Sequence, residues 1–403
     1  MIYKQKIITL MTIFSFISIG WGCDEGYTEI DGECYYQSDL DVLQQFIDNS
    51  QEGDNPPPSD LSPIELGEQV WEDGRLVRLC TDYFWDLGVQ DWWELSCLDY
   101  ELSGNIPSEI DNLEELRYLS MISNDLTGLI PEEIGNLINL STLNLTFTQL
   151  SGGIPPEIGN LIHLDTLWIS QSPQLEGEIP SEVGNLVNLK ELCFDGNNHN
   201  GEIPVEIGNL TNLSRLFLDG NNFSGEIPSE IWNLINLTEL FITSSQLSGE
   251  IPSEIGDLIN LSRLGLFDTN LTGQIPIEIG NLTNLTQLFL HSNQFSGMVP
   301  EEICNQGVSS PFLGDNQLCP PYPDCGDGPI TSEDEQDTSN CEVECPDSIE
   351  GDLNDDGVLN ILDVISIVNC ILGSNCDTCS DYNQDGSTDV LDVVEIVNYI
   401  LDI

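Results

Sequence analysis

Basic residues are nearly missing from this chain: 8 Lys and Arg stand against 70 Asp and Glu in 403 residues, a formal net charge of −62. That imbalance excludes nucleic acid as a partner, because phosphates are held by clusters of Lys and Arg. Histidine is scarcer still, with only His163, His199 and His291 on separate segments. A His pair at metal-ligand spacing, a G-x-S-x-G nucleophile turn and a phosphate-binding glycine loop are all lacking. Carboxylates are so abundant that no pair of them singles itself out for acid–base work. The chain is therefore expected not to be an enzyme. Long apolar runs are missing too: the stretch Ile7–Ile19 falls short of a membrane span. Its setting, after Lys4 and Lys6 and before Gly20 and Gly22, is that of a secretion signal over residues 1–22. Cleavage would leave Cys23 first in the mature chain. A lipid anchor there is the alternative to free secretion, although Gly20 and Trp21 fit a lipobox poorly.

Cysteine is plentiful, at 13 residues, which in an exported chain favours disulfides over zinc or thiol chemistry. Cys23, Cys34, Cys80 and Cys97 lie toward the N-terminus, and eight more run from Cys304 to Cys379; only Cys193 lies between. Pairing is not readable from spacing, but staples at both ends suit a repeat array whose terminal coils expose core. The acidity reads first as solubility and self-repulsion, and for one segment as cation binding.

Between the cysteine clusters the pair Ile-Pro, once Val-Pro, recurs at Pro107, Pro131, Pro155, Pro180, Pro204, Pro228, Pro252, Pro276 and Pro300. A fixed period near 24 residues means a solenoid, each unit burying its apolar face on its neighbours. In the unit 209–232, Leu213, Leu216 and Leu218 point inward from a short strand. Asn221 turns the chain and offers its amide to backbone groups of adjacent coils. Asn124, Asn197, Asn293 and Asn316 repeat that position, with Thr148, Ser245 and Thr269 as short polar substitutes. Gly225 permits a bend and Pro228 sits where no amide donor is needed.

The pattern LxxLxLxxNxLSGxIPxEIGNL resembles the leucine-rich repeat, in the subclass of plant receptor ectodomains and polygalacturonase inhibitors. The resemblance implies an α/β solenoid, a right-handed superhelix with a parallel β-sheet on its concave face that recognises proteins, peptides or glycans. Asp39, Leu40, Leu43, Phe46, Trp71 and Gly74-Arg75-Leu76 resemble that family's N-terminal cap. Ser38 and Asp41 read as a capping box ahead of a short helix with Leu40, Leu43, Phe46 and Ile47 on one face.

A second pattern closes the chain. Residues 352–363 and 381–392 both read D-x-N-x-D-G-x-x-[ND]-x-x-D, the oxygen spacing of a calcium loop. Asp352, Asn354, Asp356, Asn360 and Asp363, with the Val358 carbonyl, would hold one ion. Asp381, Asn383, Asp385, Asp389 and Asp392, with the Ser387 carbonyl, would hold the second. Each loop precedes one amphipathic helix, with Leu362, Ile365 and Val368, then Leu391, Val394 and Val397, on its apolar face. The one-helix duplicated pattern resembles the type I dockerin, a small α-helical, EF-hand-like domain of bacterial origin. That resemblance implies two Ca2+ ions and docking to a cohesin through Ile361, Leu362, Val390 and Leu391. The basic residues common later in such helices are missing, which leaves a calcium-stabilised module with another or no partner as the alternative.

The repeat register also identifies an outward column between the two inward apolar positions: Ser120, Asn144, Trp168, Cys193, Phe217, Phe241, Gly265, Phe289 and Phe312, with Phe267 two residues beyond Gly265. Leu and Ile already supply the core, so Trp168, Phe217, Phe241, Phe267, Phe289 and Phe312 read as a ligand-binding stripe. Cross-strand packing of rings is the alternative. Glu191, Asp195, Arg215, Asp219, Glu239, Arg263 and His291 flank it.

The chain thus divides into a signal (1–22), a small head with a Pro-rich linker (23–63), an N-terminal cap (64–100), repeats with a C-terminal cap (101–318), an acidic linker (319–350) and a two-calcium module (351–403). The expected function is non-catalytic recognition or adhesion outside the cell, through a protein or glycan ligand on the concave face. Service as an accessory component of a cohesin–dockerin polysaccharide-degrading complex is the alternative.

Overall fold

The computed structural model describes residues 23–81, 101–305, 311–326, 329–341, 361–373 and 390–401. The secretion signal therefore lies outside the described residues.

Residues expected to form a separate head and linker fold as one unit with the cap. Strands β1 (Tyr27–Ile30) and β2 (Glu33–Tyr36) pair antiparallel, and Cys23–Cys34 clips the hairpin. Helix α1 (Gln37–Asn49) follows directly. Its N-cap is Tyr36 with no side-chain cap bond, so the Ser38 capping box does not form. Backbone bonds to two separate turns fix the helix start instead: Tyr36 N–H donates to Gly74 O at 2.7 Å and Gln37 N–H to Gly26 O at 2.8 Å. Leu40, Leu43, Phe46 and Ile47 are buried as the helical period required, and all but Leu40 join the solenoid core. The Pro-rich stretch does not act as a spacer: Pro57 is buried and its carbonyl accepts from Gln51 Nε2 at 3.0 Å.

Asp39 ties helix to sheet. Its buried Oδ2 accepts from Arg75 Nε at 3.1 Å and from the Leu76 amide at 2.8 Å. Burial raises its pKa more than those two bonds lower it. Strands β3 (Glu68–Glu72) and β4 (Arg75–Cys80) form a hairpin, and β4 then pairs in parallel with Tyr118–Ser120.

From there one ten-stranded sheet runs the length of the array through Thr142–Asn144, Thr166–Trp168, Glu191–Cys193, Arg215–Phe217, Glu239–Phe241, Arg263–Gly265 and Gln287–Phe289. Every partner in this run is parallel, with Leu119, Leu143, Leu167, Leu192, Leu216, Leu240, Leu264 and Leu288 in register at the centre. All eight are buried. Coil spacing therefore equals strand spacing, about 4.8 Å.

Each proline opens a single 3₁₀ turn on the far side, and its carbonyl accepts the amide three residues on, as Ile134 N–H does to Pro131 O at 3.1 Å. Proline fits because that position donates nothing and its φ suits the turn entry. The asparagine column behaves as expected at its asparagines, whereas the Ser245 hydroxyl on the same rung is buried with no hydrogen-bond partner among the described residues. Asn221 Oδ1 accepts from His199 N–H at 3.0 Å, and its Nδ2 donates to Phe194 O at 2.8 Å and Leu218 O at 3.1 Å. Ser172 occupies the same rung in the 25-residue coil, bonding Thr148 at 2.9 Å. A second ladder escaped the sequence reading: Asn188, Asn212, Asn236, Asn260 and Asn284 donate to Ile162, Val187, Thr211, Ile235 and Ile259 carbonyls at 2.7–2.9 Å.

The segment expected to be an acidic linker is partly a C-terminal cap. Phe312 bridges Phe289, and Gln317–Cys319 pairs with Ser296–Met298. Cys304–Cys325 and Cys319–Cys341 staple the segment, while Tyr322 and Ile330 pack on the core. Gln336 Nε2 donates to Leu313 O at 3.0 Å, and Asp337 N–H to Asn316 O at 2.7 Å. Composition suggested an unstructured run because its apolar residues are few and lack period. The disulfides and backbone pairing order it nonetheless.

Two helices close the described chain, α2 (Ile361–Gly373) and α3 (Val390–Leu401). They pack through Val364, Ile367 and Ile396, backed by Ile371, Val393, Val397 and Ile400. Of the expected apolar positions, Val397 packs in this core, whereas Ile365, Val368, Leu391 and Val394 are exposed. Among the described residues no helix is long and apolar enough to cross a membrane.

Candidate ligand-binding face

Alternation along each strand places three columns on the outer side of the ten-stranded sheet. On the strand of Phe217, Leu216 and Leu218 are fully buried while Arg215, Phe217 and Asp219 are partly exposed. The central column carries the expected aromatics, but not as an unbroken stripe. Ser120, Asn144 and Cys193 are buried, and Trp168 stands two coils from Phe217 with Cys193 between them.

From Phe217 onward the rings form one contiguous floor. Phe217 and Phe241 lie 5.6 Å apart, Phe241 and Phe289 6.4 Å, and Phe289 stacks on Phe312 at 5.2 Å. The coil between Phe241 and Phe289 has Gly265, which looked like a gap. The Phe241 ring leans over it, filling the space a Cβ there would need. Phe267 joins from the next column, 6.1 Å from Phe289, and His291 stacks on Phe267 at 4.5 Å with planes 13° apart. His291, taken as a polar flank, is thus part of the aromatic floor. Phe312 is 58 % exposed at the end.

The column before the rings is an ion-pair ladder. Arg215 bridges Glu191 at 3.2 Å and Glu239 at 3.3 Å, and Arg263 meets Glu239 at 2.8 Å. The Arg263 guanidinium also lies 4.8 Å from the Phe241 ring centroid, a cation–π approach. These four charges satisfy one another across neighbouring coils.

The column after the rings is different. It runs Ser170, Asp195, Asp219, Thr243, Phe267 and His291. Cys193 Sγ donates to Asp195 Oδ1 at 2.7 Å, and Gln171 Nε2 donates to its other oxygen at 2.5 Å. Burial, then the neighbouring Asp195 carboxylate, pushes Asp219 up to about 6. Among the described residues neither aspartate has an ion-pair partner. Burial also pushes the Cys193 thiol up, with Asp195 adding to it, so this buried free cysteine is held as the unreactive thiol.

His199 is buried in the core beside Phe194, its Nδ1 3.3 Å from Gly177 O, and burial lowers its pKa. His163 is exposed on the coil edge. Among the described residues no group of His, Cys, Asp and Glu is arranged to hold a metal ion.

Of the calcium set, Asp352, Asn354, Asp356, Val358, Asn360, Asp381, Asn383, Asp385, Ser387 and Asp389 lie outside the described residues. Asp363 and Asp392 occupy the third positions of α2 and α3. Of the docking set, Ile361, Val390 and Leu391 are 56–65 % exposed, and Leu362 lies in the first turn of α2.

The profile of the leucine-rich repeat region matches residues 94–200 and 181–310, together more than half of the chain. None of the curated proteins is significantly similar to it. Among solved structures, it is 34 % identical to the plant peptide hormone receptor RGFR1 in complex with RGF2 (TM-score 0.50; 55 % of this chain, 40 % of that one). It is 32 % identical to the Arabidopsis receptor kinase HAESA in complex with the peptide hormone IDA and the co-receptor SERK1 (TM-score 0.51; 54 % and 37 %). Identity to a plant ice-binding protein is 27 % (TM-score 0.55; 70 % and 87 %). The chain spans about two fifths of the length of those two receptors. The repeated sheet, the asparagine ladder and these matches together establish that the chain belongs to the leucine-rich repeat family.

Proposed function

We propose that this is an extracellular, non-catalytic recognition protein that holds a protein, peptide or glycan ligand on the outer face of its sheet. The contiguous ring floor from Phe217 to Phe312 carries the reading. The fold does not require it, since the central leucines beneath are already fully buried, and contiguous aromatic surface marks binding sites. The receptor relatives in complex with the peptide hormones RGF2 and IDA support ligand binding by such an array. Disulfides at both ends fit an oxidising compartment. The test compares full-length protein with the Phe217→Ala/Phe241→Ala variant against peptide and glycan arrays. Ligands captured by the wild type and lost by the variant support the reading, whereas equal binding returns the rings to cross-strand packing.

The C-terminal segment is read as a dockerin-like module holding two Ca2+ ions. The all-oxygen donor sets beginning at Asp352 and Asp381 suit a hard cation. The matching exposed apolar positions of the two helices, Ile361 with Val390 and Ile365 with Val394, support docking to a partner such as a cohesin. Calorimetric titration of the full chain with Ca2+ should register two ions. Uptake unchanged in an Asp352→Ala/Asp381→Ala variant would refute the assignment.

One observation favours a second reading, binding to ice. Ile138, Ile162, Val187, Thr211, Ile235, Ile259 and Thr283 form a row of exposed residues along the coil edge, at the ~4.8 Å coil repeat. The likeness to a plant ice-binding protein extends over most of that protein. Ice recrystallisation unaffected by the protein would dismiss it.

A further inference from the structure

Resting on the reading of the ring floor as a ligand site, we propose that its ligand is an extended peptide whose Lys or Arg sits on Asp195 and Asp219 while apolar side chains lie on Phe241, Phe289 and Phe267. Charge complementarity carries the choice. Of the charged groups that flank the rings, Glu191, Arg215, Glu239 and Arg263 neutralise one another across coils. Asp195 and Asp219 stand on the opposite flank with no cation in ion-pair range among the described residues. Asp219 lies two residues beyond Phe217, just past the end of its strand, and is partly exposed like it, so a side chain resting on Phe217 would end beside it. An ammonium or guanidinium placed there would meet two carboxylates and the face of a ring, a pairing that carbohydrate hydroxyls do not supply.

Geometry sets a spacing as well. Asp219 and Phe289 are three coils apart, about 14 Å at ~4.8 Å per coil. An extended peptide rises ~3.3 Å per residue, so its cation and its apolar anchor should be about four residues apart. The whole floor from Phe217 to Phe312 covers four coil steps, about 19 Å, which accommodates roughly six residues.

The site should also respond to pH. The groups facing Asp219 are Asp195 and Cys193 on the preceding coil, Thr243 on the following one, and Phe217 on its own coil, where Arg215 is already engaged by Glu191 and Glu239. With Asp219 ionising near 6, a cationic ligand is held above that pH and released below it.

The experiment uses the full-length chain and octapeptides carrying Lys and Phe four residues apart. Controls replace Lys by Glu or by Ser, or shorten the spacing to adjacent residues, and a neutral β-glucan oligosaccharide is run in parallel. The Lys–Phe peptide should bind most tightly, and Asp195→Asn/Asp219→Asn should weaken it by about tenfold or more. Wild-type affinity should fall between pH 7.5 and pH 5, and the variant's should not. Equal binding of the Lys, Ser and Glu peptides, or an unchanged affinity in the Asn variant, overturns the cationic assignment. Phe217→Ala/Phe241→Ala separates the two levels. Loss of binding there with no effect of the Asn variant refutes only the ligand class, as does Phe-dependent binding of the glucan alone. Ligands held equally by the Phe variant refute the ring floor itself.

Discussion

Replacing Asn221 by Ala removes four hydrogen bonds, made within its coil and to the preceding one, without touching the sheet face. The asparagine is 7 % exposed. Its loss leaves the His199 amide and the Leu218 carbonyl without their partner at 3.0 and 3.1 Å, while the Phe194 carbonyl keeps the Asn197 Nδ2 donor at 3.0 Å. An orphaned buried polar group costs about 1–3 kcal/mol. Two full orphans put the expected loss at about 3 kcal/mol. Asn221→Thr should lose only about half of that, since Thr148 at the same rung donates its hydroxyl to Leu145 O at 3.3 Å. Native-state hydrogen exchange is the assay, because solenoid stability is a sum over neighbouring units. Amides between about 194 and 245 should exchange faster, while those of the coil 131–145 should keep their protection. A loss below ~1 kcal/mol, or equal loosening of both regions, would refute the ladder as the element that holds one coil to the next.

Three further outcomes follow from named contacts. Asp219→Asn should stabilise the protein at neutral pH. The folded carboxyl is raised to about 6 from 3.8, so its ionised form opposes folding above pH 6, and the penalty fades as pH falls toward 4. The difference is at most ~3 kcal/mol and nearer ~1–2 with solvent screening. Denaturant melts at pH 7.5 and 4 should differ accordingly, and an Asn variant no more stable at pH 7.5 contradicts the shift. Gly265→Ala should displace the Phe241 ring from its seat on the glycine, costing about 1 kcal/mol and lowering ligand affinity with every ring retained; unchanged affinity would show that ring placement does not matter. Cys304→Ser/Cys325→Ser opens a loop with a sequence separation of 21, for which chain entropy gives about 3 kcal/mol. Limited proteolysis should then cut first between 311 and 341, and cutting at the central coils instead would show that the cap does not depend on this staple.

Asp219, whose ionised form opposes folding, stands beside exposed rings, the combination the proposed ligand site would place there at a cost in stability. That connection was not legible in the chain alone. Asp195 and Asp219 were visible as flanking polar residues, and the 24-residue register sets them in a different column from Glu191 and Glu239, but it does not say which column pairs within itself. The difference is that Arg215 and Arg263 lie in the same column as the glutamates and in a different column from the aspartates. His291 was likewise assigned a polar role because its type suggests one. Its stacking on Phe267 depends on the coil beside it.

The sequence by itself determined the solenoid, its register, the inward leucines, the asparagine rungs and the column where aromatic rings face outward. It could do so because a 24-residue period imposes the same backbone path on every coil, and side chains alternate across a strand whatever their neighbours are. Only the tertiary structure decided what lies outside that period. It folded the Pro-rich head into the N-terminal cap and residues 311–326 and 329–341 into the C-terminal one, through disulfides and backbone pairing between segments that share no repeat. It also let Phe241 cover Gly265 and left two aspartates unpaired, since those outcomes turn on contacts between residues some two dozen positions apart rather than on any local propensity.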